Sequence, residues 1–422
     1  VLRSFRLGNH RSIWGEQELL LMPAYDKDRP ALPVTAIYGA NAAGKSNVLD
    51  GLRFMQRAVR ESYGWEPGRG VPRQPFRLDS AATREPSTFV IEVQLEGIRY
   101  TYGFSVDGER VLEEWLLSYP HKRSRVIFER TLDEIKFGST VPAQRGRTEI
   151  LEELTRSNAL FLSVAARTNF ELALPVYEWF SSRLVFAEVS VRSNSFRRAA
   201  EFLVSEPGRT SEMVGLLRAA DLGVRDLAVV EVDLFAGYSP EERRRIMQYA
   251  ERGKEKNSEI RLVHGKSGVA FEPNEESAGT RVWLGLLPSV LAALADGSQL
   301  VVDEIDTSLH PGLTQRLVAL FRSPSTNSGG AQLIFTTHDT TLLDPPLAEE
   351  GLGRDEVWFV NKDGRGATDL YPLTDFTPRK ESNLERRYLS GRYGGVPEVD
   401  EQDFRSVLKN VDLVEAGNDG IA

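Results

Sequence analysis

A chain of 422 residues, 41% of them hydrophobic, is long enough for one large domain or two smaller ones and can bury a proper core, so disorder is not the default. Its formal net charge of −9 gives a field that favours neither nucleic acid nor an anionic membrane, and any such partner must be held by a local patch. The absence of cysteine removes disulfides, thiolate nucleophiles and cysteine-ligated metal clusters, and a reducing cytosol fits.

In chain order, residues 1–5 alternate like a strand and lack the long apolar core of a signal peptide, so secretion is not expected. Residues 2–7 and 34–38 are predicted strands, the second a β-rich run that stops at glycine, and between them lies Asn9-His10-Arg11-Ser12. From 47 to 62 the apolar positions Val48, Leu49, Leu52, Phe54, Met55 and Val59 fit helical spacing. Residues 67–86 form a loop rich in Gly, Pro and Arg, and 89–137 alternate as an antiparallel meander with turns at Glu96-Gly97 and Asp107-Gly108.

Beyond Glu149 the pattern is mostly helical as far as Arg252, broken near Pro207-Gly208 and Pro240, which predicts an inserted subdomain. Strands return at 260–263 and 269–271. Then come a helix over 280–295, a strand over 299–302, a helix over 312–321 and strands over 332–336 and 357–361, the alternation of a mostly parallel sheet with helices packed on it. The longest apolar stretch, 282–295, contains Gly285, Pro288 and Ser289 and falls short of the roughly 20 residues a bilayer requires, so it is expected to be a buried helix. The resulting divisions are 1–150, an insertion over 151–258, a second lobe over 259–396 and an acidic tail over 397–422.

Gly39-Ala40-Asn41-Ala42-Ala43-Gly44-Lys45-Ser46 is a complete phosphate-binding loop between a predicted strand and a predicted helix. Its backbone N–H groups and the helix N-terminus would face the phosphates, Lys45 would reach the β- and γ-phosphates, and the Ser46 hydroxyl would ligate Mg2+. Leu300-Val301-Val302-Asp303-Glu304 is an apolar strand ending in two carboxylates. Asp303 is placed to hold magnesium through its water shell and Glu304 to polarise the water that attacks the γ-phosphate; a strand end that happens to be acidic is the bland alternative.

Ile305-Asp306-Thr307-Ser308-Leu309-His310-Pro311 follows directly, and the next strand ends at Thr336-Thr337-His338-Asp339. A neutral imidazole at His338 can donate a hydrogen bond to a γ-phosphate and sense ATP against ADP, whereas His310 is expected to fix the turn before Pro311. Upstream, Glu275-Glu276-Ser277-Ala278-Gly279-Thr280-Arg281 opens a long apolar helix, and small residues there let N–H groups approach an anion closely. A second such device would crowd a site already served by the first loop, so it is expected to cap the γ-phosphate of another subunit; an ordinary N-cap is the alternative.

The order phosphate loop, insertion, Ser-Ala-Gly-Thr, Asp-Glu, Asp306 turn and His338 resembles the ABC ATPases of the SMC, Rad50 and RecF kind. Closer still, Asn9-His10-Arg11-Ser12, residues 39–47, 276–280, 303–311 and 336–339, and the late run Tyr388-Leu389-Ser390-Gly391-Arg392-Tyr393-Gly394 resemble the AAA15/AAA21-type ATPases of bacterial anti-phage and abortive-infection systems. The resemblance covers nearly the whole chain, the middle by position alone. It implies an α/β ABC ATPase head with a mostly parallel core sheet, an antiparallel β subdomain and a mainly helical insertion, binding ATP and Mg2+ in the cytoplasm. It places Asn9, Arg11, Ser12, Gly39, Asn41, Gly44, Lys45, Ser46 and Asn47 around the nucleotide, Ser46 and Asp303 on the metal, and Lys45, Glu304 and His338 in slow hydrolysis.

It also implies a head-to-tail homodimer, open to higher assembly, in which Ser277 and Gly279 of one chain complete the site built by Lys45 and Glu304 of the other, with Asp306 at the seam. Two departures stand out. Where these ATPases place a glutamine between core and insertion, this chain has residues 160–169, with Arg167 at the relevant place and Gln74 as an alternative. A hundred-residue coiled coil is missing, so a Rad50-like reach along DNA is not expected.

Arg192, Arg197 and Arg198, then Arg243, Arg244, Arg245, Arg252, Lys254 and Lys256, concentrate positive charge in the insertion, either for a phosphate backbone or as solvated helix faces beside Glu241, Glu242 and Glu251. The tail carries Phe404, Val407, Leu408 and Val411 at helical spacing. The leading expectation is an ATPase subunit of a defence system whose nucleotide-driven closure controls a separate effector such as a nuclease, since the chain carries a full ATPase set and no recognisable nuclease metal cluster. A RecF-like DNA-binding repair ATPase and a nucleotide-gated scaffold compete with it; a transporter ATPase and a membrane partner are not expected.

Overall fold

The computed structural model describes residues 1–26, 28–120, 123–139, 141, 145–189, 193–233, 239, 241–242, 245, 256–266, 268–345, 351–376 and 383–397. Arg192, Pro240, Arg243, Arg244, Glu251, Arg252, Lys254 and the tail positions Phe404, Val407, Leu408 and Val411 lie outside the described residues.

The chain opens with β1 (Leu2–Gly8), β2 (Gln17–Leu20), β3 (Val34–Gly39) and α1 (Lys45–Glu61), followed by β4 (Ser87–Leu95), β5 (Ile98–Val106), β6 (Val111–Tyr119), β7 (Arg125–Thr131) and β8 (Glu134–Phe137). The middle holds α2 (Arg145–Leu154), α3 (Phe161–Arg167), α4 (Leu174–Glu178), β9 (Leu184–Ala187), α5 (Ser193–Ser205), α6 (Thr210–Ala219), β10 (Val224–Asp233), β11 (Lys256–His264) and β12 (Val269–Phe271). The last part holds α7 (Ala278–Asp296), β13 (Gln299–Val302), α8 (Pro311–Arg322), β14 (Gln332–Thr336), β15 (Val357–Lys362), β16 (Thr368–Pro372) and α9 (Leu384–Leu389).

These strands build a mixed α/β fold with three sheets. The central one runs β16-β15-β3-β14-β13-β9, with every pairing parallel except that of β16. Every residue of β3, β13 and β14 is buried, as in strands covered on both faces. Strand alternation divides them: Ala36, Tyr38, Leu300, Val302, Leu333 and Phe335 join one core with α5 to α8. Ile37, Val301 and Ile334 join the other, with Val48, Leu52, Met55 and Val59 of α1 and Phe5, Phe89, Ile91 and Phe104 of the antiparallel sheet. That second sheet runs β2-β1-β4-β5-β6-β7-β8, so α1 lies between two sheets.

Register fixes the site. Thr336 pairs with Ile37, Val302 with Phe335 and Gly39 with Val360, so the C-terminal ends of β3, β13 and β14 emerge side by side at one edge. Ligands of parallel α/β sheets bind at that edge.

The helical expectation over residues 149–252 is corrected at two places. Leu184–Ala187 is a strand paired in parallel with β13 at the margin of the central sheet. Its four residues are too few to show a period, and pairing with β13 decides. Val224–Asp233 pairs antiparallel with β11 in a third sheet, β10-β11-β12. Val224, Val229, Val230 and Val232 supply the β-branched side chains such a pairing favours.

Two sets of hydrogen bonds fix the far end of α1. The α1 end is joined to α3 where Leu160 N donates to Ser62 Oγ at 3.0 Å and Tyr63 N to Ser163 Oγ at 3.2 Å. The first turn of α3 is held by the buried Glu114, which accepts from Phe161 N at 2.6 Å, Leu162 N at 2.9 Å and Tyr102 Oη at 2.9 Å, with Arg130 at 3.7 Å. Burial pushes the Glu114 carboxyl up, and Arg130 opposes it. The 19-residue α7, with a mean hydropathy of 1.4 over an 18-residue window, is by length and composition apolar enough to cross a membrane. Here Val282, Trp283, Leu286, Leu287 and Val290 bury it in the core, each large side chain contributing about 1.5–3 kcal/mol.

Candidate functional site

The loop between β3 and α1 is shaped by glycines that nothing larger could replace. A Cβ on Gly39 would lie 2.5 Å from Val360 Cγ2, and one on Gly44 would lie 2.1 Å from Thr368 Oγ1. Gly44 also has φ of 115°, a left-handed conformation that L side chains rarely adopt. The loop delivers its backbone to the N-terminus of a 17-residue helix, a position that favours anions. Lys45, only 5% exposed, folds back so that Nζ donates to Gly39 O at 2.8 Å and Ala40 O at 3.2 Å. Burial lowers its pKa, while Glu304, Asp303 and Asp306 pull it up.

Facing it, the end of β13 turns sharply: Glu304 has φ of 51°, uncommon for a residue with a side chain. Thr336, at the end of β14, holds that turn. Its Oγ1 donates to Asp303 Oδ1 at 2.6 Å and accepts from Glu304 N at 2.7 Å. The adjacent Thr337 donates to Asp306 Oδ1 at 2.8 Å, and His338 N donates to the same carboxylate at 3.2 Å. Ser46 Oγ donates to Asp303 Oδ1 at 3.1 Å, so α1 and β13 bring a hydroxyl and a carboxylate together. That all-oxygen pair suits Mg2+, which takes one or two protein oxygens and keeps several waters. Among the described residues no group of three or more His, Asp or Glu forms a separate metal cluster.

These ends enclose a cavity of about 130 Å³ lined by Ala40, Asn41, Ala42, Gly44, Lys45, Ser46, Asn47, Glu304 and His338. His338 is exposed on one side, yet partial burial and the Lys45 charge both lower its pKa, against Asp306 and Glu304. Both effects favour the neutral ring. His310 sits elsewhere, accepting Gly312 N on Nδ1 at 3.1 Å as the cap of α8.

A second cavity, about 390 Å³, shares Asn47 with the first and is also lined by Arg11, Ser12, Gln74, Phe76, Arg77, Leu78 and Lys362. Asn47 Nδ2 donates to Ser12 Oγ at 2.6 Å, which meets Thr368 Oγ1 at 2.7 Å, and Thr368 donates to Ala43 O at 2.7 Å. Arg11 and His10 both hold Asp50, at 2.6 and 2.8 Å. Burial raises Asp50, but the His10 hydrogen bond and the Arg11 charge outweigh it and keep the carboxyl below its ordinary value. Asn9 is buried away from both cavities, its amide donating to Ala82 O and Glu85 O and accepting from Phe76 N at 2.9 Å. It holds the loop that walls the larger cavity. Gln74 lines that cavity, whereas Arg167 lies 5.9 Å over the Tyr63 ring.

Ser277 caps α7, its Oγ accepting from Thr280 N at 3.2 Å. A Cβ on Gly279 would lie 2.9 Å from Ser308 O, so this turn packs on the Asp303 to Pro311 loop, and neither Ser277 nor Gly279 lines the phosphate-loop cavity. Glu276 Oε1 meets His264 Nε2 at 2.6 Å, tying the turn to β11. Thr336 and Thr337 stand in the sequence beside His338 with no role expected of them, and Thr368 is not singled out there at all. A pair of adjacent hydroxyls closing an apolar strand was a usable signal for the first two; Thr368 lies too far along the chain to leave one.

No curated protein matches the chain. Among solved structures, a crystal structure of an SMC head bound to the C-winged helix domain of ScpA matches at 15% identity, covering 88% of this chain and 97% of that one, with a TM-score of 0.41. The family model described as "AAA domain, putative AbiEii toxin, Type IV TA system" matches residues 34–344, a span that starts at β3 and takes in the phosphate loop, Asp303, Glu304 and His338. On that match, which covers well over half of its length, the chain belongs to the AAA21 family of AAA domains.

Proposed function

We propose that this protein binds and hydrolyses ATP with Mg2+ as a head-to-tail dimer in the cytosol, and that its nucleotide-driven closure controls a separate effector, a nuclease being the leading choice. The observation that supports this best is the single 130 Å³ cavity to which three parallel strand ends contribute Lys45, Ser46, Glu304 and His338. Lys45 exchanges the Gly39 and Ala40 carbonyls for the β- and γ-phosphates, and the α1 N-terminus supplies backbone donors. Mg2+ held by Ser46 and Asp303 would neutralise phosphate charge. Glu304 polarises the attacking water, and the neutral His338 donates to the γ-phosphate.

The nucleoside end fits the adjoining 390 Å³ cavity beside Arg11, Ser12 and Gln74. Ser277 and Gly279, outside their own chain's cavity, serve a second copy, with Asp306 at the seam. The RecF-like alternative loses support in the insertion: Arg197 lies 3.6 Å from Glu201 and Arg198 lies 3.8 Å from Glu188, so those charges face carboxylates.

Turnover by the full chain, with Glu304→Gln and Lys45→Ala beside it, tests the reading. Glu304→Gln is expected to keep ATP binding and lose about 10² to 10⁴ in rate, the usual cost of losing a general base, while Lys45→Ala weakens binding itself. An unchanged rate in Glu304→Gln would remove that residue from its role.

A further inference from the structure

The late run Tyr388-Leu389-Ser390-Gly391-Arg392-Tyr393-Gly394 has no task in the chemistry above, yet it packs against both halves of the site. Tyr388, at the end of α9, stacks on Phe359 at 5.4 Å and meets Tyr38 edge-on at 5.6 Å. Tyr38 is the residue before Gly39, and its hydroxyl donates to Asp339 O at 3.0 Å, one residue after His338. The chain then reverses through Gly391, Gly394 and Gly395, with φ of 75°, 68° and 67°. The reversal is locked by Tyr388 Oη donating to Gly395 O at 2.9 Å and Tyr371 Oη donating to Tyr393 O at 2.8 Å. A Cβ on Gly395 would stand 3.4 Å from the Gly39 Cα and 3.2 Å from Val360 O, so the segment runs directly behind the first residue of the phosphate loop. At its other end Thr340 Oγ1 donates to Glu385 Oε1 at 2.7 Å, and Asn383 bonds Asp344.

Resting on the ATPase reading above, we propose that residues 383–395 form a strap that sets the phosphate loop and the His338 turn relative to each other, with Tyr388, Gly395 and Thr340 as positioning residues for ATP binding and hydrolysis. The two ends act on different steps. Gly395 backs Gly39, so disturbing it shifts the loop that receives the phosphates and weakens binding. Thr340 anchors the turn that carries His338, so disturbing it slows the step after binding.

Three variants of the full chain separate this from a role in folding alone. Gly395→Ala adds a methyl toward Gly39 at a left-handed position and is expected to raise the Kd of a fluorescent ATP analogue about tenfold or more. Tyr388→Phe keeps the ring and deletes one hydrogen bond, and is expected to raise it about two- to tenfold, the range such a bond commands. Thr340→Val is expected to lower kcat by a similar factor with KM unchanged, and Thr340→Ser to restore it. Tyr388→Phe and Thr340→Val decide the matter should Gly395→Ala fail to fold. Thermal midpoints that shift while Kd and kcat stay at wild-type values would overturn the strap. Failure of the wild-type chain to bind the analogue would instead sink the ATPase reading.

Discussion

Thr336 shows how much of a site can hang on one hydroxyl. It donates to the carboxylate proposed to hold magnesium and accepts from the backbone of the proposed general base, whose left-handed φ of 51° needs an outside anchor. Thr336→Val keeps the shape of the buried strand end but removes both bonds. Steady-state turnover is expected to fall about ten- to a hundredfold, the cost of misplacing a reacting group, with analogue binding nearly intact and activity regained in Thr336→Ser. Unchanged turnover in the valine variant would reduce Thr336 to a packing residue.

His338 yields a prediction in pH. Partial burial and Lys45 hold its pKa below 6.5, so the neutral donor form persists on acidification past that value and is lost only below it. An acid limb in turnover is therefore expected under pH 6.5, and it should disappear in His338→Gln; a limb that survives there belongs to another group. The unfolded chain takes up this proton first. The stability linked to His338 is thus complete above 6.5 and is lost as pH falls through the folded value.

At the scale of elements, the buried Glu114 and Arg130 pair has a structural task that can be measured. Arg130 donates to Ala159 O at 2.6 Å while Glu114 takes the first amides of α3, so the pair fixes the helix that backs the end of α1. Arg130→Met leaves Glu114 buried without its counter-charge and is expected to cost about 3–5 kcal/mol in denaturant unfolding, with the Glu114→Gln/Arg130→Met double variant recovering part of it. A double-variant loss equal to the sum of the losses in Arg130→Met and Glu114→Gln alone would show that the two side chains are not coupled.

The elements nearest the chemistry were the ones the sequence announced. The loop from Gly39, the Asp303-Glu304 strand end and the 19-residue α7 each couple a strong local pattern to their own fold. Where the pattern is short or the partner distant, it misled or stayed silent. β9 is four residues long and becomes a strand only because β13 lies beside it. β10 finds its partner across an intervening segment, and β16 reads Thr-Asp-Leu-Tyr-Pro, too polar to declare itself. The same physics hid Thr368 and the strap's contact with Gly39, since both are made by tertiary packing and leave no period in the sequence.

At the scale of the whole molecule, the Ser277 turn lies outside its own chain's phosphate-loop cavity. The proposed head-to-tail pairing would give that turn a nucleotide to cap, and it makes a prediction that geometry within one chain cannot mimic. Lys45→Ala removes the lysine from one protomer. Ser277→Asp keeps an N-cap for α7, because Asp caps as well as Ser, but sets a negative charge where the partner's γ-phosphate would lie. Each variant alone is expected to be inactive. Mixed in equal amounts they would, on the proposed pairing, form dimers with one intact composite site, Lys45 from one protomer and Ser277 from the other, opposite a site carrying both defects. With half the dimers mixed and half their sites intact, turnover should return to about a quarter of the wild-type value, or less where the two sites fire only together. A mixture as inactive as its components, while both variants still associate, would mean that Ser277 and Lys45 never share a nucleotide.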